Sequence, residues 1–188
     1  GAAPVLRAAA GEEERDERGS VIAYVYKAED RAGVSSSPAE ANREGHVAWT
    51  YLKRVSWGNT VMDDNPEDGG TGDWLFHLLF DFGEHDTDDP QLTDTGTWAV
   101  RSDPFSRFRS RFDQRCYRLC QRVLMLHNHA DYRDDGSANA VPAVVRSVSL
   151  SYSERATVTT LDSATATGWR WSGSSYDQLS LPAVELTY

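Results

Sequence analysis

Four stretches of the chain alternate along their length with the period of two that is typical of β-strands. They are rich in aromatic and β-branched residues, which favour strands. In chain order they are VIAYVYKAED (21–30), TYLKRVSWGN (50–59), WLFHLLFDFG (74–83) and VVRSVSLSYS (144–153). The sequence after residue 20 has no convincing helical stripe. It therefore predicts an all-β fold of large antiparallel sheets joined by long loops.

Turn-forming residues fill the connections between these strands. The segments are SSSPAEANREG, MDDNPEDGGTGD, EHDTDDPQLTDTG and YRDDGSANAVP. Residues 1–20 are Ala-rich and then read EEERDER, so we expect a linker, a fraying helix, or a remnant of cleavage or cloning. The chain lacks an initiating Met and closes on a strand-like LPAVELTY, which suggests a piece of a longer polypeptide.

The stretch WLFHLLF is apolar on both of its faces. Trp74, Phe76 and Leu78 lie on one face, and Leu75 and Leu79 on the other. A strand that is apolar on both sides is typical of a sheet with both faces covered. We therefore expect this strand to lie beneath another layer of protein, because it would otherwise expose an apolar patch.

The charge balance excludes two classes of partner. The chain has 29 acidic and 19 basic side chains and a net charge of -10. Nucleic-acid and membrane-surface binders need a basic face to meet phosphate, so we expect neither partner. No apolar run is long enough to span a membrane, and no signal peptide is visible at the start.

One segment, RSDPFSRFRSRF (101–112), mixes arginines with phenylalanines. Such a mixture can grip single-stranded nucleic acid. In a chain this acidic, we favour an arginine-rich strand whose Arg101, Arg107, Arg109 and Arg111 pair with acidic neighbours.

The segment CYRLCQRVLMLHNH (116–129) contains both cysteines of the chain and two of its five histidines. Its alternation predicts a strand, on which the Cα atoms of Cys116 and Cys120 lie roughly 13 Å apart. A disulfide needs about 7 Å or less. His127 and His129 would face away from the cysteines, and the spacing does not match the usual zinc patterns. We predict free, partly buried cysteines and no metal.

No other pattern predicts an active site. The acidic segments 62–73 and 80–90 lack calcium-loop spacing, and DYRDDG (131–136) has Arg133 at a ligand position, so solvated acidic turns are the favoured interpretation. The five histidines, His46, His77, His85, His127 and His129, share no frame. We predict no catalytic, cofactor-binding or metal-binding residue and no enzyme. The remaining enzymatic alternative is a metal held by an acidic cluster around Asp81, Glu84, His85 and Asp86.

Several stretches, taken in order, resemble the SpvB-like domain, which is found in the B component of bacterial Tc insecticidal toxins. They are YVYKAEDRAGV (24–34), YLKRVSWGN (51–59), WLFHLLFDFGEHD (74–86), VRSDPFSRFRSRFDQRCYRLCQRVLMLHNH (100–129), VVRSVSLSY (144–152) and LPAVELTY (181–188). The resemblance covers residues 21–188, as the C-terminal part of such a domain, and leaves 1–20 unmatched. Cys116 stands where the family usually has Thr, so the cysteine pair is not a family feature.

The resemblance implies a structural role. In Tc toxins the B and C components build a hollow β-sheet shell around a toxic effector, and a pore-forming A component docks to it. We therefore expect a non-catalytic wall segment of a secreted toxin, with other shell segments, the C component and the effector as direct partners. The alternative is a free-standing module that binds a partner protein or surface glycan through its acidic loops at 61–73 and 84–97.

Overall fold

The computed structural model describes residues 8–17, 19–43, 49–60, 74–129, 131–133 and 141–188. These ranges contain eleven strands and a four-residue helix. The elements are β1 (Ala8–Arg15), β2 (Val21–Ala28), α1 (Pro38–Ala41), β3 (Thr50–Asn59), β4 (Trp74–Asp81), β5 (Phe105–Arg107), β6 (Gln114–Cys116), β7 (Arg122–His127), β8 (Ala143–Ser153), β9 (Thr160–Trp171), β10 (Tyr176–Ser180) and β11 (Val184–Glu185).

Nine of the strands form one antiparallel sheet in the order β1-β2-β3-β4-β7-β8-β9-β10, with β11 also paired to β9. Strands β5 and β6 form a separate ribbon. Over the described residues the large sheet is open, with β1 at one edge and β10 and β11 at the other. The prediction of an all-β, antiparallel fold with long loops is confirmed. No helix in the described ranges is long and apolar enough to cross a membrane.

The two faces of this sheet differ in burial. One row of paired positions is buried on all five of its strands: Ala23, Ser56, His77, Leu126 and Val144. The next row is only partly buried on each strand: Tyr24, Val55, Leu78 and Met125. Since successive residues of a strand point to opposite faces, we call the first side the covered face and the second side the open face.

The covered face is buried by residues 82–121 of the chain itself. Leu92, from this segment, packs on a core of Leu79, Leu124, Leu126, Val144 and Trp169. Trp98 and Cys116, from the same segment, form a second cluster with Tyr51 and Phe82. Strand β4 is therefore covered as expected on one side, whereas Phe76 and Leu78 remain partly exposed on the other.

Residues 8–15 form a strand, so the expectation of a fraying helix is wrong for that part of 1–20, while the assignment of 1–20 as a linker or a remnant stays a prediction. Asp16 N donates to Ser20 O over 3.0 Å where the chain folds back from β1 onto β2. Backbone pairing in the sheet outweighs the weak helical tendency of the Ala- and Glu-rich sequence, because propensity is a small term beside tertiary hydrogen bonding. The proposed domain boundary at residue 20 stays a prediction.

The predicted continuous strand over 116–129 is also wrong in part. Strand β6 ends at Cys116, β7 begins at Arg122, and residues 117–121 leave the ladder. Two buried residues in the gap, Tyr117 and Arg118, make polar contacts that alternation does not encode. The amide of Tyr117 donates to the Tyr51 hydroxyl over 2.9 Å, and Arg118 is paired with Glu29.

Candidate functional site: a charged cluster beneath the sheet

A β-bulge directs a lysine into the protein. Strand β3 pairs Arg54 with Val25 and then Leu52 with Tyr26, so Lys53 is the extra residue of the bulge. Bulges commonly redirect a side chain in this way. The Lys53 side chain is 7% exposed, and its ammonium donates to the Phe80 carbonyl over 2.8 Å and to the Glu84 carboxylate.

Glu84 follows β4 in a tight loop that fixes its carboxylate under the sheet. Gly83 has a φ of 99°, which glycine adopts without strain, and its amide donates to Asp81 Oδ1 over 2.8 Å. The Glu84 side chain is fully buried, and Oε2 accepts the Phe82 amide at 2.7 Å. Its carbonyl accepts the Gly96 amide at 2.9 Å, which closes the loop on itself.

The closed loop brings Asp94 back to the lysines. Asp94 Oδ2 accepts from Lys27 Nζ over 2.7 Å, while Oδ1 lies 3.3 Å from His85 Nε2 and 4.0 Å from Lys53 Nζ. At the end of β4, Arg122 Nε donates to Asp81 Oδ2 over 2.7 Å.

Opposite charges balance in this cluster. Three carboxylates, Asp81, Glu84 and Asp94, face three cations, Lys27, Lys53 and Arg122. Burial alone would raise the pKa of Asp81, but the Gly83 amide and Arg122 outweigh it and hold that pKa below its ordinary value. Burial, together with Lys53, lowers the pKa of His85, which favours the neutral imidazole. These pairings fit a structural role, since buried charges persist only when they are paired.

The same cluster holds the one metal-ligand grouping found among the described residues. Ligand atoms of Glu84, His85 and Asp94 lie within 4.8 Å of one another, and neither ring nitrogen of His85 has a hydrogen-bond partner there. Lys53, however, places its ammonium against Glu84. Both oxygens of Glu84 and Oδ2 of Asp94 are already bonded, so the positive charge that a metal would bring is supplied by the lysines.

Within the acidic segment 80–90, Asp81 and Glu84 are buried in ion pairs, so the expectation of solvated acidic turns is wrong for these two residues. Asp89 binds Arg133 at 2.6 Å but keeps 45% of its side chain exposed. Asp86 is exposed and caps its own turn through the Asp88 and Asp89 amides. The segment 62–73 and residues 134–136 of DYRDDG lie outside the described residues.

The two cysteines are free thiols, as predicted. Cys116 donates to the Arg118 carbonyl at 3.5 Å, and Cys120 donates to the Arg122 carbonyl at 3.3 Å. Burial, aided by the Asp81 charge, raises the pKa of Cys120 to about 11, which is the opposite of what a nucleophilic or metal-binding thiol needs.

The described histidines lie at separate places. His77 is fully buried beside the Ser56 hydroxyl at 2.9 Å, and burial with the Arg54 charge lowers its pKa to about 4. His127 and His129 line a cavity of about 430 Å³ with Leu75, Phe76, Asp131 and Tyr132. His46 lies outside the described residues. The four described histidines therefore form no common site with the cysteines.

Of the arginine–phenylalanine segment 101–112, only Phe105–Arg107 (β5) is a strand, and it pairs with β6 in a ribbon outside the large sheet. Arg101 lies outside β5 and pairs with Asp103 at 2.8 Å, as the acidic-neighbour interpretation predicts. Arg107, in β5, instead lies over the rings of Trp49 and Phe105. The tip of the ribbon is different, because Phe108 and Phe112 are 65% and 50% exposed there. The pattern of the sequence does not distinguish the paired arginine at the base of the segment from the exposed phenylalanines at its tip.

Sequence reasoning found Asp81, Glu84 and His85 only as a weak alternative, and it missed Lys27, Asp94 and Arg122 as their partners. One signal was present: Lys53 interrupts an apolar face that includes Tyr51 and Val55. A lysine among core positions indicates a buried acidic partner, but not which one.

Comparisons with known proteins agree with the fold. The family model described as Salmonella virulence plasmid 65kDa B protein, SpvB, matches residues 10–129. The mono(ADP-ribosyl)transferase SpvB of Salmonella typhimurium is 33% identical over 162 residues, which make up 82% of this chain and 26% of that protein. The chain thus spans about a quarter of the length of this relative.

Solved structures match over most of the chain. The crystal structure of TcdB2-TccC3 superposes with a TM-score of 0.80 at 32% identity, over 94% of this chain and 9% of that one. The Photorhabdus luminescens Tc holotoxin pore gives 0.80 at 33% identity, over 94% and 8%. The N-terminal domain of the effector protein SpvB from Salmonella typhimurium gives 0.72 at 32%, over 85% and 50%. Because the family model covers well over half of the chain and the fold agrees, this chain belongs to the SpvB family.

Proposed function

We propose that this chain is a wall segment of a toxin-encapsulating β-shell and has no enzymatic activity of its own. The observation that carries the proposal is the superposition of 94% of the chain on TcdB2-TccC3 at a TM-score of 0.80. The Tc holotoxin pore of Photorhabdus luminescens matches over the same share of the chain, 94%, at the same TM-score. The chain would therefore have a structural role and not a catalytic one.

The open sheet supports this proposal. A wall strand needs neighbours at both edges and two usable faces, whereas a free-standing module buries its apolar surface within itself. Here the chain covers one face with its own residues 82–121 and leaves Tyr24, Leu78 and Met125 partly exposed on the other. An apolar face of this kind indicates a further layer of protein.

The charged cluster supports the absence of catalysis. Its carboxylates are neutralised by lysines and arginine beneath the sheet, and His85 is fully buried at its side chain. A catalytic acid or base must reach a substrate. We therefore propose that the transferase activity in the name of the Salmonella relative resides in the part of that protein which this chain does not match.

The partners follow from the same proposal. They are other segments of the toxin shell, a C component and the enclosed effector, with the pore-forming A component reached indirectly. The assembled toxin would be exported from the bacterium. No nucleic acid and no membrane contact is expected of this segment, in line with its net charge of -10.

The alternative of a free-standing binding module has less support. It relies on the acidic loops 61–73 and 84–97, and the second of these directs Glu84, Asp89 and Asp94 to internal cations. Loop 61–73 lies outside the described residues.

The test is a native mass spectrum of the chain, isolated from cells that express its whole gene neighbourhood. The proposal expects the chain in a large complex with further β-rich toxin polypeptides. A folded monomer with no partner under the same conditions would contradict it and favour the binding module. The Asp86→Asn variant, altered at an exposed turn, is the matched control and should assemble as the parent does.

A further inference from the structure

Residues 176–188 run along β9 and display large apolar side chains to solvent. We call this segment the apolar edge; its exposed fractions are 81% for Leu179, 61% for Leu181, 68% for Val184, 40% for Leu186 and 83% for Tyr188. The backbone is nevertheless held in place, since the Leu181 amide donates to Ala166 O over 2.9 Å and the Leu186 amide to Asp162 O over 2.8 Å. An ordered strand thus holds these side chains out of any core.

The small residues of the neighbouring strand β9 explain why the apolar side chains of this edge remain exposed. Leu179 pairs with Gly168 and Val184 pairs with Ala164, so β9 offers small residues where a core would offer large ones. A Cβ built on Gly168 would meet nothing closer than Leu179 O at 3.9 Å. The surface is therefore depressed over the small residues of β9 and raised at the large side chains of the apolar edge. Side chains of another layer can pack into this depression.

This step is continuous with the open face of the sheet. The row that contains Leu78 and Met125 continues through Arg146 to Gly168 and ends at Leu179. Leu179 therefore points to the same side as the partly exposed apolar residues in the middle of the sheet. The two features form one apolar surface, interrupted in this row by Arg146.

The opposite edge of the sheet is protected, and the contrast is informative. Strand β1 places Glu13, Glu14 and Arg15 at the far edge, and such charges prevent pairing with other chains. At the apolar edge, Pro182 lacks a backbone donor and so disfavours the addition of a long strand. The apolar edge combines exposed apolar side chains with an interrupted row of backbone donors. This combination favours a partner layer that packs over the open face, and disfavours a partner strand that pairs with the edge.

We infer that the apolar edge is the docking surface for a β-rich segment of the SpvB-like polypeptide that lies outside these 188 residues. The inference rests on the proposed function. The matched SpvB N-terminal domain supplies the argument for the occupant, because this chain spans only 50% of it. The unmatched part of that domain is therefore about as long as the part that this chain matches. The occupant would place apolar side chains over β9 and against Leu179 and Val184.

Site-specific photo-cross-linking tests this inference in the complex isolated from cells that express the gene neighbourhood. A benzophenone amino acid replaces Leu179 in one variant and Gln178 in the control, because Gln178 pairs with buried Trp169 and points to the covered face. We expect the variant labelled at Leu179 to cross-link to peptides of the SpvB-like polypeptide that lie outside these 188 residues. The variant labelled at Gln178 should not form these cross-links. Cross-links to a second copy or to the effector, or equal yields from both positions, would overturn the inference.

Charge substitution gives an independent readout. The Leu179→Lys/Val184→Lys variant should be released from the complex, while Gln178→Lys should remain bound, with the melting temperatures of both unchanged. If the double variant remains bound, the inference fails although the proposed function stands. If the parent chain forms no complex at all, both fail together.

Discussion

Arg118 and Glu29 are 89 residues apart in sequence and form a fully buried ion pair, in which Arg118 Nε donates to Glu29 Oε2 over 2.9 Å. The same guanidinium donates to the carbonyls of Ala32 and Trp98 at 2.9 and 3.0 Å and lies 4.4 Å from the centre of the Trp98 ring. These contacts fasten the segment after β2 to the segment that covers the sheet. They also account for the exit of residues 117–121 from the ladder.

Replacing Arg118 by Met should destabilise the fold by about 3–5 kcal/mol, because Glu29 would be left as an unpaired buried charge. Urea unfolding followed by tryptophan fluorescence measures the loss. Arg109→Met, at the exposed tip of the β5–β6 ribbon, is the control and should change the free energy of unfolding by less than about 0.5 kcal/mol. Equal losses of unfolding free energy for the two substitutions would show that the buried Arg118–Glu29 pair does not stabilise the fold more than an exposed arginine does.

Lys53 and Glu84 should be strongly coupled. Each single substitution, Lys53→Met or Glu84→Gln, should cost about 3–5 kcal/mol, since it leaves the partner charge buried. The double variant should cost clearly less than the sum, and a double-mutant cycle in urea measures the coupling energy. Strict additivity would contradict the ion pair.

This coupling bears on tests of enzymatic activity. Replacing Asp81, Glu84, His85 and Asp86 together would remove three buried members of the cluster as well as the exposed Asp86. We expect such a variant to unfold, so its loss of any activity would not identify a catalytic group. The Asp86→Asn variant should fold normally, as judged by its circular dichroism and melting temperature.

His77 should make the protein less stable in mild acid. Its pKa falls from 6.5 to about 4 on folding, so between these values the unfolded chain binds a proton that the folded chain does not. Stability is therefore complete above pH 6.5 and declines as the pH falls towards about 4, by up to about 3 kcal/mol. His85, whose pKa is also lowered, acts in the same direction.

Comparison with His77→Gln isolates this contribution. The free energy of unfolding of the variant, measured by urea titration from neutral pH down to about pH 4.5, should fall less steeply than that of the parent. Identical slopes would contradict a neutral, buried His77.

The cysteines should be unreactive in the folded protein. With a pKa of about 11, roughly one Cys120 thiol in a thousand is ionised near pH 8, and the thiolate is the reactive form. We expect slow reaction with a thiol-exchange reagent in buffer, rapid reaction of both thiols in denaturant, and no zinc in purified protein by elemental analysis. Stoichiometric zinc that is lost in Cys120→Ser would overturn the free-thiol interpretation.

The sequence by itself determined the strands whose alternation is strong. The predicted stretches 21–30, 50–59, 74–83 and 144–153 correspond closely to β2, β3, β4 and β8, because period-2 burial is a local property that each strand carries in its own residues. The ordered motifs also identified the family, since they depend on sequence similarity and not on packing.

Only the tertiary structure decided which face of the sheet is covered and where the charges meet. Both faces of β4 are apolar, so the pattern could not say that His77 and Leu79 are buried while Phe76 and Leu78 remain partly exposed. The pairing of Lys53 with Glu84, and of Arg118 with Glu29, joins segments that are distant in sequence. Such contacts depend on chain topology and on a single bulge, and alternation contains no information about either.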